Sequence, residues 1–426
     1  MLCCTRDSIN RNHSFCILAV LALALCQAAA GATLCVNPGG KSGCYAKIQD
    51  AVNAAAPYDT VEVAPGTYQE SVLIGKPLAL VGHNRSNTII DASSLLYGVY
   101  IDGLDNPALG SVVVTGFTMK NAELEGIVIT NATNVTISDN NVFNNTRGLN
   151  VQDGTCPEAP PWETLEGFDC GEGIHLSGVD HSTVTNNTSQ NNAGGILVSD
   201  DTGPTNDNLI ANNTVSDNPF DCGITLASHP PAAITGATSP FGVFHNTISG
   251  NTSSHNGTQE PGAGAGVGIF DSFPGTKNFG NVVLNNRLTD NGLPGVAMHA
   301  HAPFQDMTNN LIVGNYIAGN GADTDDAFTP GPTGINVFGV SPASGTVIVN
   351  NVIKNESVDI AVNTPAAIDV HLNDLMGKGM GALNLGPGSA DASENWWGCS
   401  GGPGANGCST VSGPAVLSTP WLTKPF

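Results

Sequence analysis

Gly126-Ile127-Val128-Ile129 and the Asn140-Asn141-Val142 that follows it decide the fold, because this pair of motifs returns along the chain. The pair recurs at 195–198 with 212–215 and at 295–298 with 309–312, and further copies of the glycine motif begin at Gly148, Gly173, Gly223, Gly268 and Gly334. A unit repeated in this way is typical of a solenoid, in which each unit buries its apolar face against the next one.

The apolar residues within a unit alternate, as Ile174 and Leu176 do. Alternation is the periodicity of a strand with one buried side, and the repeats sustain no helical periodicity. Three short strands and three turns fill a unit of about 22 residues, which predicts about ten coils. Stacked coils place equivalent turns above one another, so a hydrogen-bonded asparagine ladder is expected through Asn141, Asn187, Asn213, Asn286 and Asn351.

Both ends of the repeat region carry further motifs. Ile48-Gln49-Asp50-Ala51-Val52 and Leu78-Ala79-Leu80-Val81-Gly82 precede it, and Asn395-Trp396-Trp397-Gly398 and Pro420-Trp421-Leu422 follow it. With the repeats, these segments resemble the right-handed parallel β-helix proteins of the pectin-lyase-like class, which include the periplasmic copper-processing family NosD. The resemblance implies an all-β fold: a single right-handed parallel β-helix over 33–426, with an N-terminal cap at about 33–75 and a closing turn at about 395–426. It implies no single activity, because the class contains lyases, hydrolases, epimerases and adhesins.

The first 32 residues have the layout of a cleavable secretory signal peptide. Arg6 and Arg11 precede an apolar run at 15–25 and small residues at 28–32, and the run is too short to span a bilayer. We therefore expect a secreted or periplasmic protein without a membrane anchor. A monomer is expected.

Charge excludes some partners. The net charge of −23 becomes −24 once the expected signal is removed, and such a surface repels nucleic acid and anionic membranes. A polyuronate is also anionic, so binding one requires a local basic cleft or bridging calcium.

The cysteines beyond the signal predict disulfides, because near neighbours pair in exported chains. Cys35 with Cys44 would close the N-terminal cap, Cys399 with Cys408 the C-terminal turn, and Cys156 with Cys170 an inserted loop. Each closes a loop of about ten to fifteen residues, which contributes about 2–3 kcal/mol in the chain-entropy model. Cys222 remains and is expected to be a buried free thiol.

Insertions interrupt the repeat at 153–172, 229–240 and 321–333, with a smaller one at 259–266. Insertions in solenoids form loops that often border the binding face. We expect them to form walls along one side of the helix with a trough between them. The first carries Trp162 and the third carries Phe328, and aromatic side chains suit sugar stacking.

Alignment of the units on their glycines brings acids and histidines into one column. Asp201 and His229 are predicted one coil apart, with His299 and His301 two coils further along. The predicted catalytic residues are Asp200, Asp201, His229, His299 and His301. The predicted substrate-binding residues are Asp153, Trp162, His175 (on an outward-facing position), Asp271 and Phe328.

Three chemistries could use this column. Two carboxylates on neighbouring coils can serve as acid and base in glycoside hydrolysis, and a histidine can abstract a proton beside a uronate carboxylate. Alternatively, Asp201, His299 and His301 can bind a transition metal, since imidazole suits copper. The fold itself requires no cofactor, although calcium or copper could bind. The catalytic residues of pectate lyases and polygalacturonases find no matching pattern in this chain.

The favoured interpretation is an exported β-helix that binds an extracellular polysaccharide and is a candidate glycosidase or lyase. Two alternatives stay open: a non-enzymatic surface or adhesive protein in which the histidines are an exposed ladder without function, and a periplasmic copper-handling protein resembling NosD.

Overall fold

Each coil of the chain contributes one short strand to each of three long parallel sheets, so equivalent residues of successive coils stack in register. The computed structural model describes residues 31–163, 170–259, 264–377 and 379–426. Residues 31–426 form one compact unit, a right-handed parallel β-helix, which confirms the predicted fold. Positions 1–30 of the predicted signal lie outside the described residues.

The three long sheets and one short one are named here by their strands. Sheet 1 has 14 strands: Thr33–Val36, Thr60–Val63, Ala79–Gly82, Val113–Thr115, Thr136–Ser138, Thr183–Thr185, Leu209–Ala211, Thr247–Ser249, Val282–Leu284, Leu311–Val313, Val347–Val349, Ala367–His371, Ser389–Asp391 and Val416–Leu417. Sheet 2 has 12 strands: Val72–Ile74, Val99–Asp102, Ile127–Thr130, Ile174–Ser177, Ile196–Ser199, Ile224–Ser228, Val267–Asp271, Val296–Ala300, Thr333–Gly339, Val358–Asn363, Met380–Asn384 and Thr410–Ser412.

Sheet 3 has 11 strands: Gly66–Tyr68, Thr88–Asp91, Thr118–Lys120, Asn141–Phe143, Thr188–Gln190, Thr214–Ser216, Thr252–Ser254, Arg287–Thr289, Tyr316–Ala318, Val352–Lys354 and Asp374–Met376. Sheet 4 has three: Thr205–Asn206, Val243–Phe244 and Asn278–Phe279. The helices of the described residues are the α-helix Ile48–Ala54 and the 3-10 helices Lys41–Gly43 and Ala233–Thr235. The strand counts exceed the ten coils that the sequence predicts.

The core is the apolar interior of the coil. In a typical unit, Ile127 and Ile129 of sheet 2, Ile137 of sheet 1 and Val142 of sheet 3 are all fully buried. The repeat glycine lets the backbone approach its neighbours at the corner before sheet 2. A Cβ at Gly195 would overlap the Val215 side chain and the backbone of the next coil, which explains why glycine recurs there.

Asparagine ladders hold the corners between sheets. The longest runs through Asn140, Asn187, Asn213, Asn251, Asn286, Asn315, Asn351, Asn373 and Asn395, with each side-chain amide donating to the next member. The predicted ladder is thus present, but its first member is Asn140. The prediction of Asn141 is wrong, because Asn141 already belongs to a sheet 3 strand.

The α-helix Ile48–Ala54 covers the N-terminal end of the β-helix. Its residues Ile48, Ala51 and Val52 are buried. The Glu70 carboxylate accepts hydrogen bonds from the first two N–H groups of this helix at 2.9 Å each, and so satisfies donors that a helix leaves unpaired.

All three predicted disulfides are present, at Cys35–Cys44, Cys156–Cys170 and Cys399–Cys408. Cys222 is a buried free thiol, also as predicted.

The register corrects two repeat assignments. Strand Ile127–Thr130 pairs directly with Ile174–Ser177, so Gly148 opens an insertion and not a coil. Ile224, the residue after repeat glycine Gly223, lies opposite Val267 of strand Val267–Asp271. The repeat glycine of that coil is therefore Gly266, the residue before Val267. The predicted alignment on Gly268 is wrong by two residues.

Candidate functional site

Seven of the predicted site residues lie in strands of sheet 2 or directly after them, and most of these seven are buried. Asp200, Asp201, His229 and Asp271 are all within 1% of full burial. The second insertion contributes to this cover, since the Ala232 amide donates to the carbonyl of Asp201 at 2.9 Å. The prediction of one open trough lined by these residues is therefore wrong in its geometry.

An acidic cluster of Glu125, Glu163, Glu172 and His175 lies under the first insertion. One donor atom from each residue lies within 4.8 Å of all the others, and all four residues are buried. His175 Nδ1 lies 3.5 Å from Glu125 Oε1 and 3.8 Å from Glu163 Oε1. Burial, with the nearby Glu125 carboxylate, raises the pKa of Glu163 well above its usual range.

The repeat explains how the acidic cluster forms. Glu125 and Glu172 each immediately precede a repeat glycine, so they occupy the same corner in neighbouring coils, and His175 projects outward from the strand that follows. Glu163 comes from the first insertion. Its neighbour Trp162 is 6% exposed and packs on His175, with ring centroids 5.9 Å apart.

A chain of hydrogen bonds leads away from the acidic cluster across two further coils. His175 Nε2 lies 2.9 Å from Ser199 Oγ, and that hydroxyl donates to Asp201. The other oxygen of Asp201 is 3.1 Å from His229 Nδ1. Although burial opposes ionisation, the charge and hydrogen bond of His229 hold the pKa of Asp201 at about 2. The predicted one-coil spacing of Asp201 and His229 is confirmed by the strand register.

Asp200 holds backbone rather than facing a ligand. It accepts hydrogen bonds from the backbone amides of His229 at 2.7 Å and Gly242 at 2.5 Å, and from the Ser228 hydroxyl. Burial raises the pKa of Asp200 to about 6. This carboxylate ties down the second insertion, and its predicted catalytic role stays a prediction.

A histidine cluster of His299, His301, Asp323 and Asp325 lies further along the same sheet. His299 Nε2 and Asp323 Oδ2 are 2.6 Å apart, and both side chains are inaccessible to solvent. Burial opposes protonation of His299, but the charge of Asp323 outweighs it and raises the pKa of His299 to about 9. The same pairing lowers the pKa of Asp323 to about 2. At neutral pH these two residues form a buried ion pair.

Asp325 and His301 form the open part of the histidine cluster. Asp325 Oδ2 lies 3.5 Å from His299 Nδ1 and 3.9 Å from His301 Nε2, and the Asp325 and His301 side chains are 38% and 34% exposed. Asp323 fixes this loop, because its other carboxylate oxygen accepts from the backbone amides of Asp325 and Asp326. A carboxylate is thereby held between two imidazoles at the surface.

Phenylalanine rings surround the histidine cluster. The Phe270 and Phe338 rings pack edge-on against His299, at 4.9 and 5.6 Å between centroids. Phe328, in the same insertion as Asp325, is 74% exposed, which agrees with the accessibility expected for sugar stacking. Phe304 is 87% exposed, and the Gln305 beside it donates to the carbonyl of Phe273 in the neighbouring coil.

The predicted catalytic residues thus fall into two groups on one sheet. The strand pairing places Ser199, Ala227, Phe270 and His299 in successive coils, so Asp201 and His301 are three coils, or about 14 Å, apart. The predicted order of coils is confirmed. The predicted metal set is altered, because Asp325 and not Asp201 lies beside His299 and His301.

Four of the five predicted substrate-binding residues are either buried or lie outside the column. Asp153 is exposed in the first insertion, where it accepts hydrogen bonds from Thr155, because Gly148 does not open a coil. His175 does project outward from the coil, as predicted, but the first insertion buries it, together with Trp162. Asp271 is buried at the end of its strand. Direct contact of these residues with a substrate stays a prediction.

Sequence reasoning did not assign Glu125, Glu172 or Ser199 to a site. The signal for the two glutamates was present, since each precedes a repeat glycine, at Gly126 and Gly173. Asp323 and Asp325 carried no such signal, because insertion residues have no place in the repeat.

Comparison with known proteins agrees with this architecture. The protein-family model described as right handed beta helix region matches residues 82–239 and 163–303 of the sequence. Together these residues make up more than half of the chain. No curated protein matches the sequence.

Among solved structures, DFA-IIIase from Arthrobacter chlorophenolicus A6 without its lid and in complex with GF2 is similar over 92% of this chain and 100% of its own, with 11% identity and a TM-score of 0.57. ORF18 of Geobacillus virus E2 is similar over 79% of this chain, with 14% identity and a TM-score of 0.53. This chain spans 62% of that viral protein, less than two thirds of its length. These likenesses show the fold, and the chain belongs to the right-handed β-helix family.

Proposed function

We propose that the chain is an exported carbohydrate-active protein that binds a neutral glycan at the histidine cluster. The observation that carries the proposal is the half-exposed Asp325 carboxylate, held between the imidazoles of His299 and His301, with exposed Phe328 in the same insertion. Carboxylate and imidazole groups bind sugar hydroxyls, and phenyl rings offer apolar faces for sugar rings. DFA-IIIase, a similar structure, is a carbohydrate-acting enzyme crystallised with GF2 and with DFA-III.

Charge supports a neutral ligand. The chain carries a net charge of −23, and the one strongly cationic group of the histidine cluster, His299, is compensated by Asp323 at 2.6 Å. Since one imidazolium faces two carboxylates, Asp323 and Asp325, the cluster keeps a negative charge that repels a polyuronate. Three disulfides support the exported state that this function requires. Within the described ranges, no helix is long and apolar enough to cross a membrane.

The same groups give the site its candidate acid–base chemistry. Asp325 and His301 reach the surface with their polar atoms 3.9 Å apart, so either can exchange a proton with a bound sugar oxygen. The buried His299–Asp323 pair positions Asp325 and is itself out of reach of a substrate. Cleavage by this site therefore requires Asp325, His301 or both.

We expect Asp325→Asn to weaken glycan binding at least tenfold, because the amide cannot accept the charge-assisted hydrogen bonds of a carboxylate. The measurement is isothermal titration against a panel of neutral and acidic oligosaccharides, with an assay for new reducing or unsaturated ends on the same panel. Asp217→Asn is the matched control, since Asp217 is an exposed acid in a distant turn. Equal binding by wild type and Asp325→Asn would contradict the proposal, as would a panel in which no neutral glycan binds.

Phe328→Ala tests the stacking contribution separately. The ring is 74% exposed, so its loss should leave the melting temperature unchanged. Glycan affinity should fall by about fivefold to tenfold, because an aromatic contact contributes about 1 kcal/mol. Phe426→Ala, which removes a ring of similar exposure at the C-terminus, should have no effect on binding. A fall in melting temperature for Phe328→Ala, or unchanged affinity, would assign this ring another role.

Copper handling is the second candidate. His299, His301 and Asp325 each offer one ligand atom within 4.8 Å of the others, and Asp323 orients the His299 ring as outer-sphere carboxylates do at metal sites. Titration with Cu²⁺ distinguishes the candidates. A copper affinity that the His299→Ala/His301→Ala double variant loses, in a chain that binds no glycan, would favour this second function.

A further inference from the structure

The acidic cluster contains more buried carboxylate oxygens than its neighbours satisfy. Both oxygens of Glu125 and both of Glu163 are buried without a hydrogen-bond partner in the described part of the chain. Both side chains are at most 1% exposed. Leaving such a group unpaired in an interior is destabilising, and more so if the group is charged. These glutamates converge on the same small volume as Glu172 and His175.

Hydrogen bonding determines which nitrogen of His175 faces the glutamates. The Ser199 hydroxyl donates to Asp201, so it accepts from Nε2–H of His175 at 2.9 Å. Nδ1 then points at Glu125 and Glu163 from 3.5 and 3.8 Å, and it has no hydrogen-bond partner among the described residues. A proton on Nδ1 or on Glu163 would pair only part of this set, whereas a cation among the side chains satisfies both carboxylates and the nitrogen lone pair together.

We propose that the acidic cluster binds one divalent first-row transition-metal ion, with Glu125, Glu163, Glu172 and His175 as its ligands. The donor set favours Mn²⁺ or Zn²⁺, because carboxylates with one imidazole suit these ions, while Ca²⁺ and Mg²⁺ take oxygen ligands. Four ligands at about 2.1 Å from a tetrahedral metal lie roughly 3.4 Å apart. The observed spacings of 3.5 and 3.8 Å already approach this value.

The outer surroundings match those of known metal sites. A metal-ligating histidine usually donates its other ring N–H to a carboxylate, a backbone carbonyl or water. His175 donates to the Ser199 hydroxyl, which in turn donates to the Asp201 carboxylate. The bound ion would join the corners of two neighbouring coils, through Glu125 and Glu172, to the first insertion through Glu163. It would therefore hold that insertion over sheet 2. This site is independent of the glycan site at the histidine cluster.

The test uses the untagged protein, stripped with EDTA, dialysed and reloaded with Mn²⁺ or Zn²⁺. We expect about one tightly held equivalent per chain by elemental analysis, and a higher melting temperature for the reloaded protein. Ca²⁺ at the same concentration should produce neither result. In Glu163→Gln the amide keeps the shape of the side chain, and we expect affinity for the ion to fall at least tenfold and the metal-dependent shift in melting temperature to vanish.

Two further variants locate the ion. Glu158→Gln alters an exposed glutamate of the same insertion and should behave as wild type. His301→Ala should lose affinity for glycan or copper but retain the tightly held equivalent, so failure of the proposed function leaves this result intact. The proposal is overturned if the reloaded protein retains no Mn²⁺ or Zn²⁺, if Glu163→Gln retains them with wild-type affinity, or if His301→Ala alone releases them. Should Glu163→Gln fail to fold, Glu172→Gln provides the same comparison.

Discussion

Replacing Asn251 with alanine is expected to lower the free energy of unfolding by about 4 kcal/mol, the largest single effect predicted for this chain. Asn251 is 1% exposed in the middle of the longest asparagine ladder. Its amide nitrogen donates to the Ile210 carbonyl at 2.9 Å and to Asn286 at 3.0 Å, and its oxygen accepts from the backbone and side chain of Asn213.

Alanine removes all four of these hydrogen bonds and leaves the Asn213 backbone amide without its acceptor, while the Asn213 side-chain amide keeps its bond to the Val184 carbonyl at 2.8 Å. Asn286 keeps a hydrogen bond from the Asn251 backbone amide at 2.9 Å. Each of the four lost hydrogen bonds contributes about 1 kcal/mol, which gives the expected total. Urea unfolding followed by circular dichroism measures the change.

Ser254→Ala is the control, because Ser254 lies on the outer face of the same coil and surface substitutions change stability by about 0.5 kcal/mol or less. Asn251→Asp separates shape from donor capacity, since it retains the accepting oxygen but replaces the amide nitrogen with an oxygen that cannot donate to Ile210 or Asn286. A loss below about 1 kcal/mol for Asn251→Ala would mean that ladder amides contribute no more than solvated turn residues.

The ladder also shows why so much of the fold could be predicted. A coil repeats one physical solution, so the glycine, the alternating aliphatic residues and the corner asparagine recur at related positions. Disulfide pairing followed from the same local logic, since all three bridges join near neighbours. The one wrong ladder residue, Asn141 in place of Asn140, reflects an Asn-Asn pair in which only the backbone register selects the member that turns inward.

Two glycines misled the alignment of coils for different physical reasons. The segment after Gly148 alternates like a strand, but Asn150 pairs with Thr155 in an antiparallel bridge and Val151 is 52% exposed. No Asn-Asn pair follows Gly148 before the next repeat glycine, and that absence was readable in the sequence. Gly266 and Gly268 flank a single residue, so alternation alone permits either register.

The geometry of the candidate site could not be derived from the repeat. Stacking placed Asp201, His229 and His299 in the right coils, yet whether a column is open or covered depends on loops that obey no periodicity. The first insertion buries His175 and supplies Glu163, while the third supplies Asp323 and Asp325 to His299. One face of the helix thus becomes a closed acidic cluster and a partly open histidine cluster.

Replacing Glu356 with glutamine should raise the free energy of unfolding by about 3 kcal/mol at pH 8 and leave it nearly unchanged at pH 4. Glu356 ends a second ladder, where it accepts from the backbone and side-chain amides of Asn320. Its Oε2 is buried without a hydrogen-bond partner among the described residues. Burial, with the charge of Asp290, raises its pKa to about 7, although hydrogen bonds oppose the shift.

The raised pKa of Glu356 determines the direction in which the free energy of unfolding changes with pH. The folded chain holds a proton on Glu356 between pH 4.5, the ordinary value, and about 7, where the unfolded chain has released it. The stability that this carboxyl contributes is therefore fully present below pH 4.5, falls as the pH rises, and is lost once the pH passes about 7. Asp359, the other acid facing Glu356, is also buried and has a raised pKa.

Glutamine keeps the acceptor for Asn320 and carries no charge, so its stability should depend less on pH over this window. Urea unfolding of wild type and Glu356→Gln from pH 4 to pH 8 measures the divergence of the two curves. Glu62→Gln, an exposed glutamate on a sheet 1 strand, should give a curve parallel to that of wild type. If the Glu356→Gln curve is also parallel, Glu356 has the same pKa in the folded and unfolded chains, and the end of the second ladder tolerates a buried charge.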